Sequence, residues 1–339
     1  VTRYLQAGVF YVLILNNMPP SALPVADTTP LSVAYANGGL TSPGGHVVQL
    51  HERLVELGVL SVSKENLDGF AFFAVGSDED LDRQWPKLLA GKPDIVKVFL
   101  GFSEEYARRR DDPAFFGMRG LDPELVPSIV RRAHGTGLRV AAHIETAADF
   151  RIAVAAGVDI VAHLPGWRVG EEAGFADTQP ERWFLTPDDA QKAVAKGVIV
   201  VTTAIAGDAA LDSSHAHHSI VRGIHRRNLQ TLRSASVHLA LGSDYWSGTS
   251  VTEAVYLAQE AVIQGVVPLG GLDNLTLIQL LAVHTPRAIF PSRRVGGLTE
   301  GDEATFVVLE EDPVASLRNL LQIRLRVILG EIIEVPEGG

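Results

Sequence analysis

Residues 139–166 read RVAAHIETAADFRIAVAAGVDIVAHLPG. Two short apolar runs, VAAH and DIVAH, close on His143 and His163. Between them lies one amphipathic segment, TAADFRIAVAAG (146–157), whose apolar residues recur at helical spacing and whose end is a glycine. A continuously apolar strand, a helix and a second such strand describe a parallel pair covered on both faces. Each strand carries a histidine at the same end.

The alternation continues in both directions from this stretch. VFYVLIL (9–15), VKVFL (96–100), LRVAAH (138–143), DIVAH (159–163), VIVVTT (198–203) and VHLALGSD (237–244) read as strands. PELVPSIVRRAHGTG, AADFRIAVAAG, TPDDAQKAVAKG, HSIVRGIHRRNLQTLRSAS and TSVTEAVYLAQEAVIQG read as helices. Such a chain folds as an open doubly wound sheet or as a (β/α)8 TIM-type barrel. A nucleotide-binding open sheet shows a glycine-rich turn after an early strand. SPGGH (42–46) is the sole candidate and fits neither phosphate-binding pattern. The expected fold class is therefore an α/β barrel.

Composition narrows the partners. The 339 residues suffice for one large barrel or two ordinary domains. A net charge of −11 argues against a nucleic-acid or anionic-membrane surface. The absence of cysteine removes disulfides, thiolate metal sites and a cysteine nucleophile. No apolar run approaches the roughly 20 residues of a membrane span. The chain begins at Val1, so a leader upstream is left open. The expected partner is a small molecule or short peptide, and a homo-oligomer is allowed for.

On a parallel barrel the functional groups gather where the strands end. Polar residues recur there: Lys97 in VKVFL, His143 in VAAHIE, His163 in VAHLPG and Asp244 in LALGSDYW. Neighbouring strands lie about 5 Å apart, so these four converge on one small volume. Imidazole and carboxylate together suit Zn²⁺, Mn²⁺ or Fe²⁺. An ammonium repels a cation, so Lys97 helps only when neutral or carbamylated. Each residue also has a plainer reading. Lys97 could be a snorkelling lysine, His143 and His163 core histidines, and Asp244 the cap of the helix that follows.

Four stretches carry a resemblance to a known family: KPDIVKVFLG, the opening RVAAHIETAADFRIAVAAGVDIVAHLPG, HLALGSDYW, and LLAVHTPRAIFPSRRVGGLTEGDEATFVVLEEDP (280–313). The chain resembles the amidohydrolase superfamily, in its branch similar to imidazolonepropionases and metal-dependent prolidases. That likeness implies a (β/α)8 barrel over residues 1–290 and part of a small β-sandwich over 291–339. It implies hydrolysis of a C–N bond by metal-activated hydroxide, with one or two divalent ions, zinc being the expected metal. By position Lys97 would be a carbamylated bridging ligand, and His143 and His163 would hold the more exposed ion. Asp244 would touch the buried ion and shuttle the proton. The same type of site serves esters, lactones and phosphoesters, and a barrel that had lost its metal could survive as a binding protein.

One departure stands out. The family carries a His-x-His pair at the end of its first barrel strand, and VTRYLQAGVFYVLIL (1–15) holds none. This stretch reads instead as a helix followed by the second barrel strand. The expectation is a chain that is a portion of a longer product, because a barrel lacking one strand leaves two unpaired edges. An intact variant with a changed metal site is the alternative. HAHH (215–218) offers the same spacing, but flanking Asp212, Ser213 and Ser214 mark it as the opening of a helix. His284 lies in a helical run and reads as structural. His46, Trp167, Arg168, Tyr245 and Trp246 follow strand ends and are the candidate substrate-binding residues.

Overall fold

The computed structural model describes residues 1–16, 29–166, 180–209, 215–244, 248–263 and 271–335. Strands β1 (Tyr11–Ile14) and β2 (Ser32–Tyr35) pair in parallel. Only Ala36, Asn37 and Gly38 separate β2 from β3 (Gly39–Thr41), which belongs to a second, seven-stranded sheet. Then follow β4 (Phe73–Ala74), β5 (Ile95–Phe99), β6 (Arg139–His143), β7 (Ile160–Ala162), β8 (Ile199–Val201) and β9 (His238–Ala240). Their spatial order is β4-β3-β5-β6-β7-β8-β9, every pair parallel. From β5 to β9 each strand lies beside its predecessor, as right-handed βαβ units place them.

Alternation along each strand sorts residues between two environments. Val96, Val98, Leu100, Val140, Ala142, Val161, Val200 and Leu239 pack with the helices in the main core. Ile95, Ala141 and Ile160 face the other way, joining Ala36 in a second cluster that Leu13 and Ile199 flank. That inner cluster fills the barrel interior as a layer of branched side chains does in this architecture. Residues Lys97, Phe99 and His143 continue the inward-facing series one layer higher. In register, Phe99 sits beside His143, His143 beside Ala162, Ala162 beside Val201 and Val201 beside Ala240. This row is the rim on which the site is built.

The helices start and stop where their sequence says. Thr146 and Asp149 form a reciprocal capping box on Ala147–Ala156, and Gly157 ends that helix at φ 85°. Thr186 and Asp189 repeat the device on Pro187–Lys196. Asp149 does more than cap. It is fully buried and accepts from the backbone N–H groups of Phe102 (3.2 Å), Ser103, Glu145 and Thr146 (each 2.9 Å). One carboxylate thus ties the loop after β5 to the loop after β6. Burial pushes its carboxyl up, and the donors around it pull it back.

After the barrel, strands β10 (Phe306–Leu309), β11 (Ile323–Ile328) and β12 (Glu331–Ile332) form an antiparallel sheet. The opening helix Thr2–Gln6 docks on it: Leu5, Phe10 and Ile328 share one cluster, and Arg326 donates to the carbonyls of Leu5 and Gln6, both at 2.8 Å. Among the described residues β1 pairs only with β2 and β9 only with β8, so no ladder joins β1 to β9. No helix among the described residues is long and apolar enough to cross a membrane.

Asp149→Ala should lower the unfolding free energy by about 3 kcal/mol or more, since each orphaned buried N–H costs about 1–3 kcal/mol. Urea unfolding of both proteins measures this. A loss below about 1 kcal/mol would mean that the two loops are held by other contacts.

Candidate metal centre

The rim row brings the expected residues together. Lys97 stands inside β5, His143 ends β6, and His163 follows β7. Asp244 lies beyond β9 on the same side. The rings of His143 and His163 are 4.7 Å apart edge to face. His163 Nε2 is 3.7 Å from Asp244 Oδ2. Two of the four bend the backbone into the left-handed region, His163 at φ 80° and Asp244 at φ 43°. Non-glycine residues adopt this region rarely, and it concentrates at functional sites. Here it turns each side chain over the mouth as the strand ends. The helix Ser250–Ile263 starts well after Asp244, and its first turn is capped by Thr249, which accepts from the Thr252 N–H at 3.4 Å. The capping reading of Asp244 is therefore replaced by a place over the mouth.

Lys97 fits only because its neighbour is glycine. A Cβ on Gly39 would run into the Phe99 ring and lie 2.9 Å from Lys97 Cγ. The missing side chain lets the lysine stem run up the barrel interior, with Nζ 5.2 Å from the Phe99 ring centre.

Electrostatics follow from this crowding. Lys97 is 2 % exposed, and burial pulls its amine down to about 8 while Asp244 opposes the fall. Confinement pushes Asp244 up to about 6, against the pull of Lys97 and with the push of Glu145. Yet 52 % of the Asp244 side chain reaches solvent. A carboxylate ringed by protein in an open mouth is both crowded and wetted. The water tempers the upward push, and its direction stands. Burial holds His163 well below the ordinary imidazole range, helped by His143, Lys97, His46 and His225. A neutral imidazole is the form that ligates a metal.

Two further residues stand at the rim. The His46 ring stacks on His143 at 4.3 Å. His143 donates from Nε2 to Glu145 Oε1 at 2.8 Å, since an ionised carboxylate only accepts. His46, His143 and Glu145 present ligand atoms within 4.8 Å of one another, a group able to hold a metal ion. Imidazole nitrogens and carboxylate oxygens are the donors that Zn²⁺ and its neighbours take. The donor set therefore fits a divalent cation, provided Lys97 is not an ammonium beside it. Trp167, Arg168, Tyr245 and Trp246 lie outside the described residues, as do Asp212, Ser213 and Ser214. The HAHH stretch opens the helix His215–Ser234, as its flanking residues suggest. His284 sits in a π-helical turn, Leu280–His284, away from the rim.

Sequence reasoning missed Glu145, Thr203, His225 and Glu253. Thr203 Oγ1 is 2.7 Å from His163 Nδ1. Glu253 is fully buried and accepts from the N–H groups of Ala204 (2.8 Å) and Ile205 (2.9 Å). A usable signal existed for the last of these, a lone acid inside the apolar helix VTEAVYLA. Glu145 follows His143 by two residues, within the very stretch that decides the fold.

Residues 63–329, more than half of the chain, match the amidohydrolase family, and the chain belongs to that family. Its fold is similar to that of A. niger ochratoxinase, with a TM-score of 0.72 and 20% identity over 100% of this chain and 75% of that one. It is also similar to a prolidase complexed with N-methylphosphonate-L-proline, at TM-score 0.71 and 16% identity over 99% and 78% of the two chains. Phenylurea hydrolase B follows the same course at TM-score 0.66 and 16% identity, over 98% and 76%. At these identities the likeness is one of fold, and the fold is TIM-like and prolidase-like. No curated protein matches the chain significantly.

The lowered amine has a direct readout. In metal-free protein made with ¹³C-lysine, the Cε signal of Lys97, assigned by its loss in Lys97→Arg, should titrate with a midpoint near 8. Protonation falls as pH rises through that value. A midpoint at the ordinary lysine position, near 10.5, would mean that the amine is not confined as described.

Proposed function

We propose that the chain is a metal-dependent hydrolase that cleaves a C–N bond in a small molecule or short peptide. Family membership supports hydrolysis of C–N bonds. The observation that supports the metal reading is that the His143 and His163 rings lie 4.7 Å apart, with Asp244 Oδ2 3.7 Å from His163 Nε2. His143, His163 and Asp244 would hold the ion, zinc by donor chemistry, and Lys97 would join them as a carbamate. When bound, a divalent ion supplies water activation and polarisation of the scissile carbonyl.

The rest falls to the chain's own groups. Asp244, though pushed up to about 6 by burial, remains ionised at neutral pH. It accepts the proton of the attacking water and returns it to the leaving nitrogen. His46, stacked on His143, borders the space above the rim and is assigned to substrate contact. Trp167, Arg168, Tyr245 and Trp246 are assigned there by their places after β7 and β9. Residues 1–290 form the catalytic barrel in this reading, and 291–339 belong to the accessory β-domain. Among the described residues β1 pairs only with β2 and β9 only with β8.

Asp244→Asn separates chemistry from scaffold. An amide cannot accept the proton, so turnover should fall on the order of 10²–10⁴-fold. Asn is nearly the same shape, so the melting temperature should stay close to that of the parent. The assay is a panel of dipeptides, N-acyl amides, esters and lactones, with and without chelator. Near-normal turnover by Asp244→Asn would end its catalytic assignment. Chelator-resistant hydrolysis would end the metal reading, and esters or lactones turned over in preference to every amide would move the substrate class.

A further inference from the structure

The rim contains a hydrogen-bonded series that the reaction does not use directly. It begins at Glu253, fully buried in the helix Ser250–Ile263. Its two carboxylate oxygens accept separately from the N–H groups of Ala204 and Ile205, which open the helix Ala204–Ala209 after β8. A buried carboxylate carries a desolvation cost, and burial pushes this carboxyl up to about 7 against the pull of Ile205, the Thr202 hydroxyl and Ala204. Such a group is kept where its acceptors are needed. On the other side of Thr203, the Thr202 N–H donates to the Ala240 carbonyl of β9 at 2.9 Å.

Thr203 is thereby anchored on both flanks. Gly242 adds a third constraint: a Cβ there would lie 3.3 Å from the Thr203 methyl and 2.7 Å from Val201 Cγ1. The Thr203 hydroxyl meets His163 Nδ1 at 2.7 Å, and the opposite ring nitrogen faces Asp244. A metal-ligating histidine commonly donates its other N–H to a partner that fixes both ring orientation and tautomer. A threonine hydroxyl rotates to suit, so it accepts from Nδ1–H once Nε2 is taken up by a cation.

We propose that Glu253 is a positioning residue: through the backbone at 204–205 it holds Thr203 where the hydroxyl accepts from His163 Nδ1–H and leaves Nε2 to a divalent ion. This inference rests on the metal reading given above. Glu253 touches neither ion nor substrate and acts only through that backbone. Glu253→Gln keeps the shape but turns an NH₂ toward one of the two backbone donors. Thr203→Val removes the acceptor and leaves Glu253 and its helix untouched, whereas Thr203→Ser restores it.

The test is a Zn²⁺ titration of ¹⁵N-histidine-labelled protein, with affinity read by a competing chelator and the His163 ring by ¹⁵N NMR, assigned through His163→Gln. In the parent, His163 should be metal-bound at Nε2 with a protected Nδ1–H. In Thr203→Val and Glu253→Gln that proton should lose protection, and the affinity should fall about 10–100-fold, the usual cost of losing such a partner. Thr203→Ser should stay within about 3-fold of the parent. Parent-like affinity and a parent-like Nδ1–H in folded Glu253→Gln would overturn the positioning role and leave the metal reading intact. If Glu253→Gln does not fold, the same parent-like result in Thr203→Val overturns it. A parent that binds no zinc at His163 would overturn the metal reading and this inference with it.

Discussion

Glu145, His163 and Asp244 stand at the mouth of this barrel on backbone that has just left a strand. Leaving the ladder orphans N–H groups in a place where the walls of the barrel exclude most water. Buried carboxylates collect them. Asp149 gathers four from the loops after β5 and β6, and Glu253 gathers two from the start of the helix after β8. An unsatisfied buried N–H costs on the order of 1–3 kcal/mol, so six of them left open would consume a large part of a domain's stability. The site depends on this arrangement. With these segments fixed, His143 and His163 keep their separation, and the left-handed backbone at His163 and Asp244 is held against its own strain.

The charge pattern of the mouth follows from the same confinement. Lys97 and Asp244 oppose each other's shifts only in part, because burial disfavours both ionised forms. Their neighbours are imidazoles, one of them held neutral. Burial therefore works against the charge on both groups, lowering the lysine and raising the carboxyl. A cation entering among these groups would favour carboxylate and neutral imidazole and disfavour the ammonium. Such a cation would therefore favour the neutral form of Lys97.

Much of this was legible in the sequence, for reasons that differ from place to place. The run from VKVFL to VHLALGSD announced its strands because each is continuously apolar and closed by one polar residue. Gly157 and Gly197 announced the helix stops, whereas the capping boxes Thr146–Asp149 and Thr186–Asp189 emerge from the structure. By the same logic His143, His163 and Asp244 are legible at or just beyond strand ends, whereas Lys97 stands inside β5. Glu145, Thr203 and Glu253 are not legible, because their roles arise from pairings across 2, 40 and 48 or 49 positions that no local period encodes. The break at Ala36–Gly38 was likewise invisible, since SVAYANGG reads as one strand until Asn37 and Gly38 both adopt positive φ.

In the proposed reading, one small volume at the strand ends would hold a divalent ion between His143, His163 and Asp244. Anomalous diffraction at the zinc edge, from crystals grown with zinc, tests it most directly. The predicted result is a peak within bonding distance, about 2.0–2.2 Å, of imidazole nitrogens of both His143 and His163. A peak bound instead by His46 and Glu145 without His163, or no peak at the rim, would contradict it.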